Sequence, residues 1–193
     1  MPRTADPALR DELLAGVLEH VLARGLSGLS LRPLGRTLHV SPRTILYHFG
    51  SKNALLDTIF DEARTRQRAL LEGWIARSAE YELATLLLGA WRWLSAPRHE
   101  PILRLAFETA AAGLQQRKRY GAVGSGAIDD WLAFFRRILE TGGLSGDRAA
   151  TLATILVAFT RGLLLDLLAT GERARVDRAF RSFITAIELP ALD

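Results

Sequence analysis

Leu9, Leu13, Val17 and Val21 recur every four residues near the start of the chain, with Leu14, Leu18 and Leu22 beside them. That spacing lays one wide apolar stripe along a helix. The stripe stops at Arg24-Gly25, a cation followed by a residue able to take a left-handed cap. Ser30 opens a short helix over 31–38, where Pro33 is tolerated because first-turn N–H groups have no helical partner. Ser41-Pro42 opens a third helix over 42–48. Gly50-Ser51 closes it and opens a longer one, from Lys52 to Arg77. Further periodic segments fall at 80–95, 101–119, 125–141, 146–170 and 173–188. They are separated at Ala96-Pro97, Tyr120-Gly121, Gly142-Gly143 and Thr170-Gly171. No strand-like alternation or internal repeat interrupts them. The pattern predicts an all-α chain, with a small N-terminal unit over residues 1–50 and a helical bundle over 51–193.

Composition narrows the chemistry. With 193 residues and 49 % hydrophobic content, the chain can bury a real core. It has no Cys, which removes disulfides, thiolate nucleophiles and Cys-based zinc sites and suits a reducing cytoplasm. The first residues lack an apolar run, so no secretory leader is expected. Residues 151–171 have the length of a membrane span, but Arg161 and Asp166 lie near the middle. Each would cost about 2.5–3.5 kcal/mol at a bilayer centre, so a core helix and no membrane partner are expected. The chain has no HExxH or P-loop, and its Gly-rich run GAVGSG (121–126) follows no strand. Asp129 and Asp130 are helix neighbours facing different ways, a poor carboxylate dyad. No enzyme, metal or cofactor is expected.

The net charge of +4 is modest, but its placement is not even. From His20 to Leu56 there is no acid, while Arg24, Arg32, Arg36, Arg43 and Lys52 all fall inside. A one-signed region of this kind marks a polyanion site, or else a solvated basic face. Helix starts sharpen the choice. In the bundle, Glu80, Glu82, Asp129-Asp130 and Asp147 are expected near N-termini and Arg117-Lys118-Arg119 near a C-terminus, as the macrodipole favours. In the N-terminal unit, Arg32, Arg43 and Lys52 open helices instead. Each reversal costs a few tenths of a kcal/mol unless an anion docks there. Phosphates spaced along a duplex meet that need. Helix 31–38, a short turn and helix 42–48 make a helix-turn-helix, whose second helix can enter a major groove. Gly35 permits a close crossing. Leu31, Leu34, Leu38, Val40, Ile45 and Phe49 are expected inward, and Arg43, Thr44 and Tyr47 outward. Arg suits guanine and a Thr methyl suits thymine, although Thr44 and Tyr47 could equally reach phosphates.

The stretch LSGLSLRPLGRTLHVSPRTILYHFGSKNALL resembles the DNA-binding half of tetracycline-repressor (TetR) family regulators. The matching features are the Ser30 cap, the Val40-Ser41 turn, the His48-Phe49 ending and the Gly-Ser-Lys opening of the fourth helix. The resemblance implies base contact by Arg43 and Thr44, and phosphate contact by Ser30, Lys52 and Tyr47. Arg32, Ser41 and His48 complete the expected DNA-facing set. The chain departs from the family in three places: His39 stands where Gly is usual, Leu46 where Tyr is frequent, and Gly35 where Ala is usual. His39 must then accept a left-handed backbone, as His does more readily than most residues.

In such regulators the bundle encloses a small-molecule pocket, and filling it moves the DNA-reading heads. Trp91, Phe107, Trp131 and Phe135, each on the apolar stripe of its helix, are the candidate ligand contacts, with plain core packing as the alternative. Glu108 and Arg104 read as surface residues, or as polar ligand contacts. Residues 151–169 are apolar on nearly all faces, which calls for burial on two sides. A two-fold homodimer through the last two helices would supply the second side, with Val176, Phe180, Phe183, Ile184 and Ile187 completing the seam. Gly162 would admit a close backbone. Arg161 and Asp166 would pair across that seam, line its rim or face solvent. Together these features predict a cytoplasmic, homodimeric repressor, released from a palindromic double-stranded operator by a small apolar or aromatic effector. The alternative is a helical ligand-binding or interaction protein with a non-functional DNA head.

Overall fold

The computed structural model describes residues 6–76 and 82–187, leaving aside the side chains of 119–124. Among these residues there is no strand, in line with the all-α expectation. The helices are α1 (Pro7–Arg24), α2 (Leu31–Thr37), α3 (Pro42–Phe49), α4 (Lys52–Ile75) and α5 (Leu83–Leu94). After a 3-10 turn at Pro97–His99 come α6 (Glu100–Gln115), α7 (Arg117–Thr141), α8 (Gly146–Thr170) and α9 (Arg173–Ala186). Asp6, Ser41 and Ser51 cap α1, α3 and α4 by accepting from the N–H groups of Ala8, Thr44 and Ala54.

Two apolar clusters organise these helices. The first joins Leu13, Val17, Val21, Leu34, Ile45 and Phe49 to Leu55, Ile59, Phe60 and Ala63 of α4 and to Leu105 of α6. It therefore runs past residue 50. The second gathers Leu70 and Leu71 of α4 with Leu87, Trp91, Trp131, Phe135, Leu156 and Phe180. Helix α4 serves both.

Within the N-terminal unit, α2 and α3 pack on each other and both rest on α1. Gly35 is buried at their crossing, where a Cβ would come within 2.6 Å of the Val40 carbonyl oxygen. The turn between them places His39 at φ 55°, the only non-glycine residue with positive φ among those described. Leu34 and Ile45 are fully buried, as the inward set requires.

The middle of the bundle corrects the sequence expectation. Helix α6 ends at Gln115, and α7 begins at Arg117 and continues through Tyr120-Gly121. The basic run Arg117-Lys118-Arg119 thus opens a helix instead of closing one, and Asp129-Asp130 sit well inside α7. Glu80 lies outside the described residues. The glycine run persists in the helix for a packing reason: the Arg64 guanidinium lies across Gly126, where a Cβ would collide with it. From there Arg64 reaches Asp130, with Nε donating at 2.7 Å and Nη2 at 3.2 Å.

Helix α8 is long and apolar enough to cross a membrane by length and composition. Its packing is that of a core helix, with Ala149, Ala153, Leu156, Val157, Thr160 and Leu164 buried along one face and α7 and α6 against it. Helix α9 also differs from expectation. Val176, Phe180 and Ile184 are buried within the protomer, Phe180 stacking on Trp91 at 4.8 Å, and Phe183 lies on Phe159 at 3.9 Å. The apolar stripe of α9 is therefore covered internally and is not left for a seam. Asp166 pairs with Arg175 at 2.6 and 2.8 Å within the same protomer. What stays uncovered is the outer face of α8, with Ile155 46 % and Leu165 51 % exposed and nothing within 4 Å of a Cβ on Gly162.

The backbone at His39 sets a stability test. A β-branched side chain tolerates positive φ poorly, at about 1–2 kcal/mol for a left-handed residue. His39→Val should therefore lower unfolding stability by about that much, whereas His39→Gly should match or exceed the parent; urea unfolding measures both.

Candidate functional site

Three successive helices each present a start without an acid. Arg32, Arg43 and Lys52 lie in the first turns of α2, α3 and α4, and no Asp or Glu accompanies them. All three are exposed, as are Arg24 and Arg36, and none of the five has an acidic partner among the described residues. Ser30 is exposed at the start of α2, and its hydroxyl makes no cap bond.

Helix α3 buries Ile45 and Phe49 and turns Arg43 and Tyr47 outward, Tyr47 being 54 % exposed. Ser41 caps the helix at 3.0 Å, and its hydroxyl also bonds that of Thr44 at 2.8 Å. Thr44 and His48 are half-buried, and the Tyr47 and His48 rings meet edge-on at 5.3 Å. Helix α3, which carries Arg43, Thr44 and Tyr47, thus packs against both α2 and α4, whose openings carry the exposed Arg32 and Lys52. The arrangement is that of a basic helix-turn-helix.

The four aromatic candidates of the bundle lie apart. Trp91, Trp131 and Phe135 are buried core residues; Trp131 and Phe135 stack at 6.2 Å, and Trp91 donates its Nε1–H to Asp177 at 2.7 Å. Trp91 therefore bolts α9 to α5. Phe107 is half-buried, with the Arg161 guanidinium 5.6 Å from its ring centre.

The polar interior lies elsewhere. Between α4, α6, α7 and α8 is a slot of about 20 Å³, walled by Phe60, Ala63, Ala106, Ala110 and Ala127 and carrying Arg64, Gln67, Thr109 and Arg161. Gln67 is buried and donates to the Ala127 carbonyl at 3.2 Å. The hydrogen bond to Asp130, more than the neighbouring charges, raises the Arg64 pKa above its ordinary value. A larger cleft of about 280 Å³ lies by Pro97, Glu100, Leu164 and Leu168, where Arg173 is already bonded to the hydroxyl and carbonyl of Ser95.

Helix α6 connects the slot to the N-terminal unit. Ala106, Thr109 and Ala110 wall the slot, while Glu108 accepts from the Leu26 N–H at 2.8 Å and Arg104 donates to the Leu22 carbonyl. Glu108 also fills the space a side chain on Gly25 would need. Sequence reasoning placed both residues at the surface. Their spacing, i and i+4 on one helix, was the only signal, and it does not say what lies opposite.

Residues 14–59 match the family model for bacterial regulatory proteins of the tetR family. No curated protein sequence matches the chain. Among solved structures, a TetR-family transcriptional regulator from Cytophaga hutchinsonii superposes with TM-score 0.77 at 17 % identity, over 99 % of this chain and 100 % of that one. A TetR regulator from Legionella pneumophila gives TM-score 0.72 at 16 % identity, over 95 % and 97 % of the two chains. The multidrug binding protein EbrR, solved with imidazole, gives TM-score 0.71 at 25 % identity, over 100 % and 96 %. A basic helix-turn-helix head on a helical bundle defines a DNA-binding transcriptional regulator, a non-enzymatic class. Residues 14–59 carry the tetR-family DNA-binding region, and the chain as a whole has the fold of TetR-family regulators.

The clasp between α6 and the α1–α2 turn can be tested by unfolding. Glu108→Ala leaves the Leu26 N–H without its acceptor and should cost about 1–3 kcal/mol. Glu108→Gln keeps a carbonyl acceptor and should recover much of that loss in the same measurement.

Proposed function

We propose that this regulator is a homodimeric repressor that leaves a palindromic operator when a small organic effector enters the bundle. The observation that carries the DNA half is the set of three acid-free helix starts with exposed cations, Arg32, Arg43 and Lys52. In the free protein these cations oppose the helix dipoles; against phosphates they reinforce them. Arg43 is the base-reading residue, suited to a two-pronged contact with guanine. With its hydroxyl held by Ser41, Thr44 offers its methyl to thymine. Ser30, Arg32, Tyr47 and Lys52 hold the backbone, while Ser41 shapes the helix start and His48 supports Tyr47 from beside it. As a chromosome-bound regulator the protein would act in the cytoplasm. The residues 1–50 would serve as the DNA-binding unit and 51–193 as the effector and dimer unit, with α4 shared.

The effector half rests on α6. A slot of about 20 Å³ holds roughly one water. An organic effector must therefore spread the walls, and packed interiors answer by shifting whole elements. Helix α6 is one of those walls and is fastened to the head by Arg104 and Glu108. Displacing it would re-aim α1 and the helices resting on it. Of the sequence candidates, Phe107 adjoins this route directly, while Trp91, Trp131 and Phe135 would meet a ligand only after the core repacks. The binding named for EbrR, a multidrug binding protein, supports an effector role for the bundle.

Dimerisation is assigned to the outer face of α8. Ile155, Leu165 and the open Gly162 face form an apolar strip with no cover inside the protomer, which an identical copy would bury about a two-fold axis.

Selection of bound duplexes from a random library at near-physiological salt tests the whole reading. It should enrich a palindrome, and a folded, dimeric protein that enriches none would overturn it. On the enriched duplex, Arg43→Ala should cost about 1–3 kcal/mol and relax base preference at one position per half-site. Lys52→Ala should weaken all duplexes alike and flatten the salt dependence. Leu165→Arg should yield monomers by sedimentation and lose the cooperative half-site pair; a variant that stays dimeric would move the seam away from α8.

A further inference from the structure

Arg161 is out of keeping with the rest of the interior. It lies half-buried on α8, lines the slot and stacks over Phe107, yet no carboxylate, carbonyl or hydroxyl bonds it among the described residues. The other arginine of the slot is different, since Arg64 is paired with Asp130 through two hydrogen bonds, an acid that Arg68 also reaches at 3.4 Å from outside the slot. Among the described residues, Arg161 is thus the slot cation with no acid bonded to it. Burial alone, with no opposing charge, pushes the Arg161 pKa below its ordinary value. Next to it in sequence, the Thr160 hydroxyl is fully buried and unpartnered, whereas Thr154 and Thr170 on the same helix bond the carbonyls four residues back. Buried polar groups of this kind are costly in a free protein.

We propose that the slot takes a small organic monocarboxylate, with the Arg161 guanidinium, backed by the Phe107 ring, as its counter-charge and the Phe60 ring and alanine walls against its apolar body. This rests on the effector reading above and assigns that effector a chemical class. A planar guanidinium matches a carboxylate two-pronged, and one uncompensated cation suits a single negative charge better than two. Of the remaining polar groups, the Thr109 hydroxyl already donates to Ala106, and the Gln67 amide donates to Ala127 and keeps a second N–H. The apolar walls Phe60, Ala63, Ala106, Ala110 and Ala127 leave a hydrocarbon or aromatic body well placed. A cationic ligand would have to enter beside Arg161 with no acid in the slot free to meet it. The larger cleft near Pro97 differs, because Arg173 there is hydrogen-bonded to Ser95 and the acid Glu100 lines the same cleft.

Calorimetric titration of the full-length protein with matched probes tests this: benzoate and 2-naphthoate, their carboxamides, and the corresponding arylmethylammonium ions. The carboxylates should bind at least tenfold more tightly than either neutral or cationic partners. Arg161→Gln should lose at least tenfold in carboxylate affinity while leaving the amides unchanged, and Arg161→Lys should retain part of it. Arg161→Gln should also melt no lower than the parent, since it removes an unpaired half-buried charge. Equal or tighter binding of amide or ammonium, unchanged carboxylate binding by Arg161→Gln, or no carboxylate binding at all would overturn the assignment. A fluorescent copy of the selected duplex separates the two ideas. An ammonium or amide that binds and releases DNA would sink the anion assignment and keep the effector reading. A carboxylate bound through Arg161 that leaves DNA affinity untouched would do the reverse.

Discussion

Helix α6 is built into both apolar clusters at once. Leu103 belongs to the bundle core, and Leu105, two residues on, belongs to the core of the head. Arg104 between them and Glu108 one turn later bond the backbone where α1 ends. No rigid shift of α6 can leave the head unaffected, because its apolar and polar anchors are interleaved along a few residues. Helix α4 is shared in the same way, through Ile59 and Ala63 on one side and Leu70 and Leu71 on the other. A bundle joined to its head by two such helices moves it as a unit. That constraint makes a regulator out of two otherwise ordinary helical cores.

The aromatic residues play the opposite part. Trp91 stacks on Phe180 and bonds Asp177, while Trp93 donates to the Leu70 carbonyl at 2.9 Å. Gly89 gives Trp74 room that any Cβ would remove. These contacts tie α5 to α9 and to α4 and rigidify the far end of the bundle. On the proposed reading, with that end fixed, a disturbance at the slot would be relieved toward the head. Rigidity there and compliance at α6 are complementary, since a bundle that gave way everywhere would absorb an effector without signalling it.

Much of this was legible in the sequence wherever a local chemical signal marks an end. Ser41-Pro42, Ser51 and Gly171 fixed the bounds of α3, α4 and α8, because caps and breakers act within one turn. Positive φ at His39 followed from the turn itself. The α6–α7 boundary was misplaced for the same reason in reverse. Gln116 carries no Pro or Gly signal, while the glycines near 121–126 mimic a break inside a continuous helix, where Gly126 makes room for Arg64. Periodicity finds the apolar stripe of a helix but not what lies opposite it. So the α9 stripe, which faces α5, looked like a seam, and Arg104 and Glu108, which face the head, looked like surface.

Uncompensated charge links the two ends of the molecule. On the head, five exposed cations lack acidic partners among the described residues, and three of them oppose helix dipoles. In the bundle, Arg161 has no acid bonded to it among the same residues. Each departure destabilises the free protein a little, and each is relieved by a negative partner: phosphates outside, and a carboxylate inside if the assignment above holds. The two partners need not compete for charge, because the sites share no residue. They compete for the position of α6, whose Ala106 and Ala110 face the slot while Glu108 grips the head. On the proposed reading, the head position that suits a duplex and the α6 position that admits an effector are alternatives of one packed structure. Linkage would then make their coupling mutual, so that operator binding weakens effector affinity by the same factor that the effector weakens operator binding.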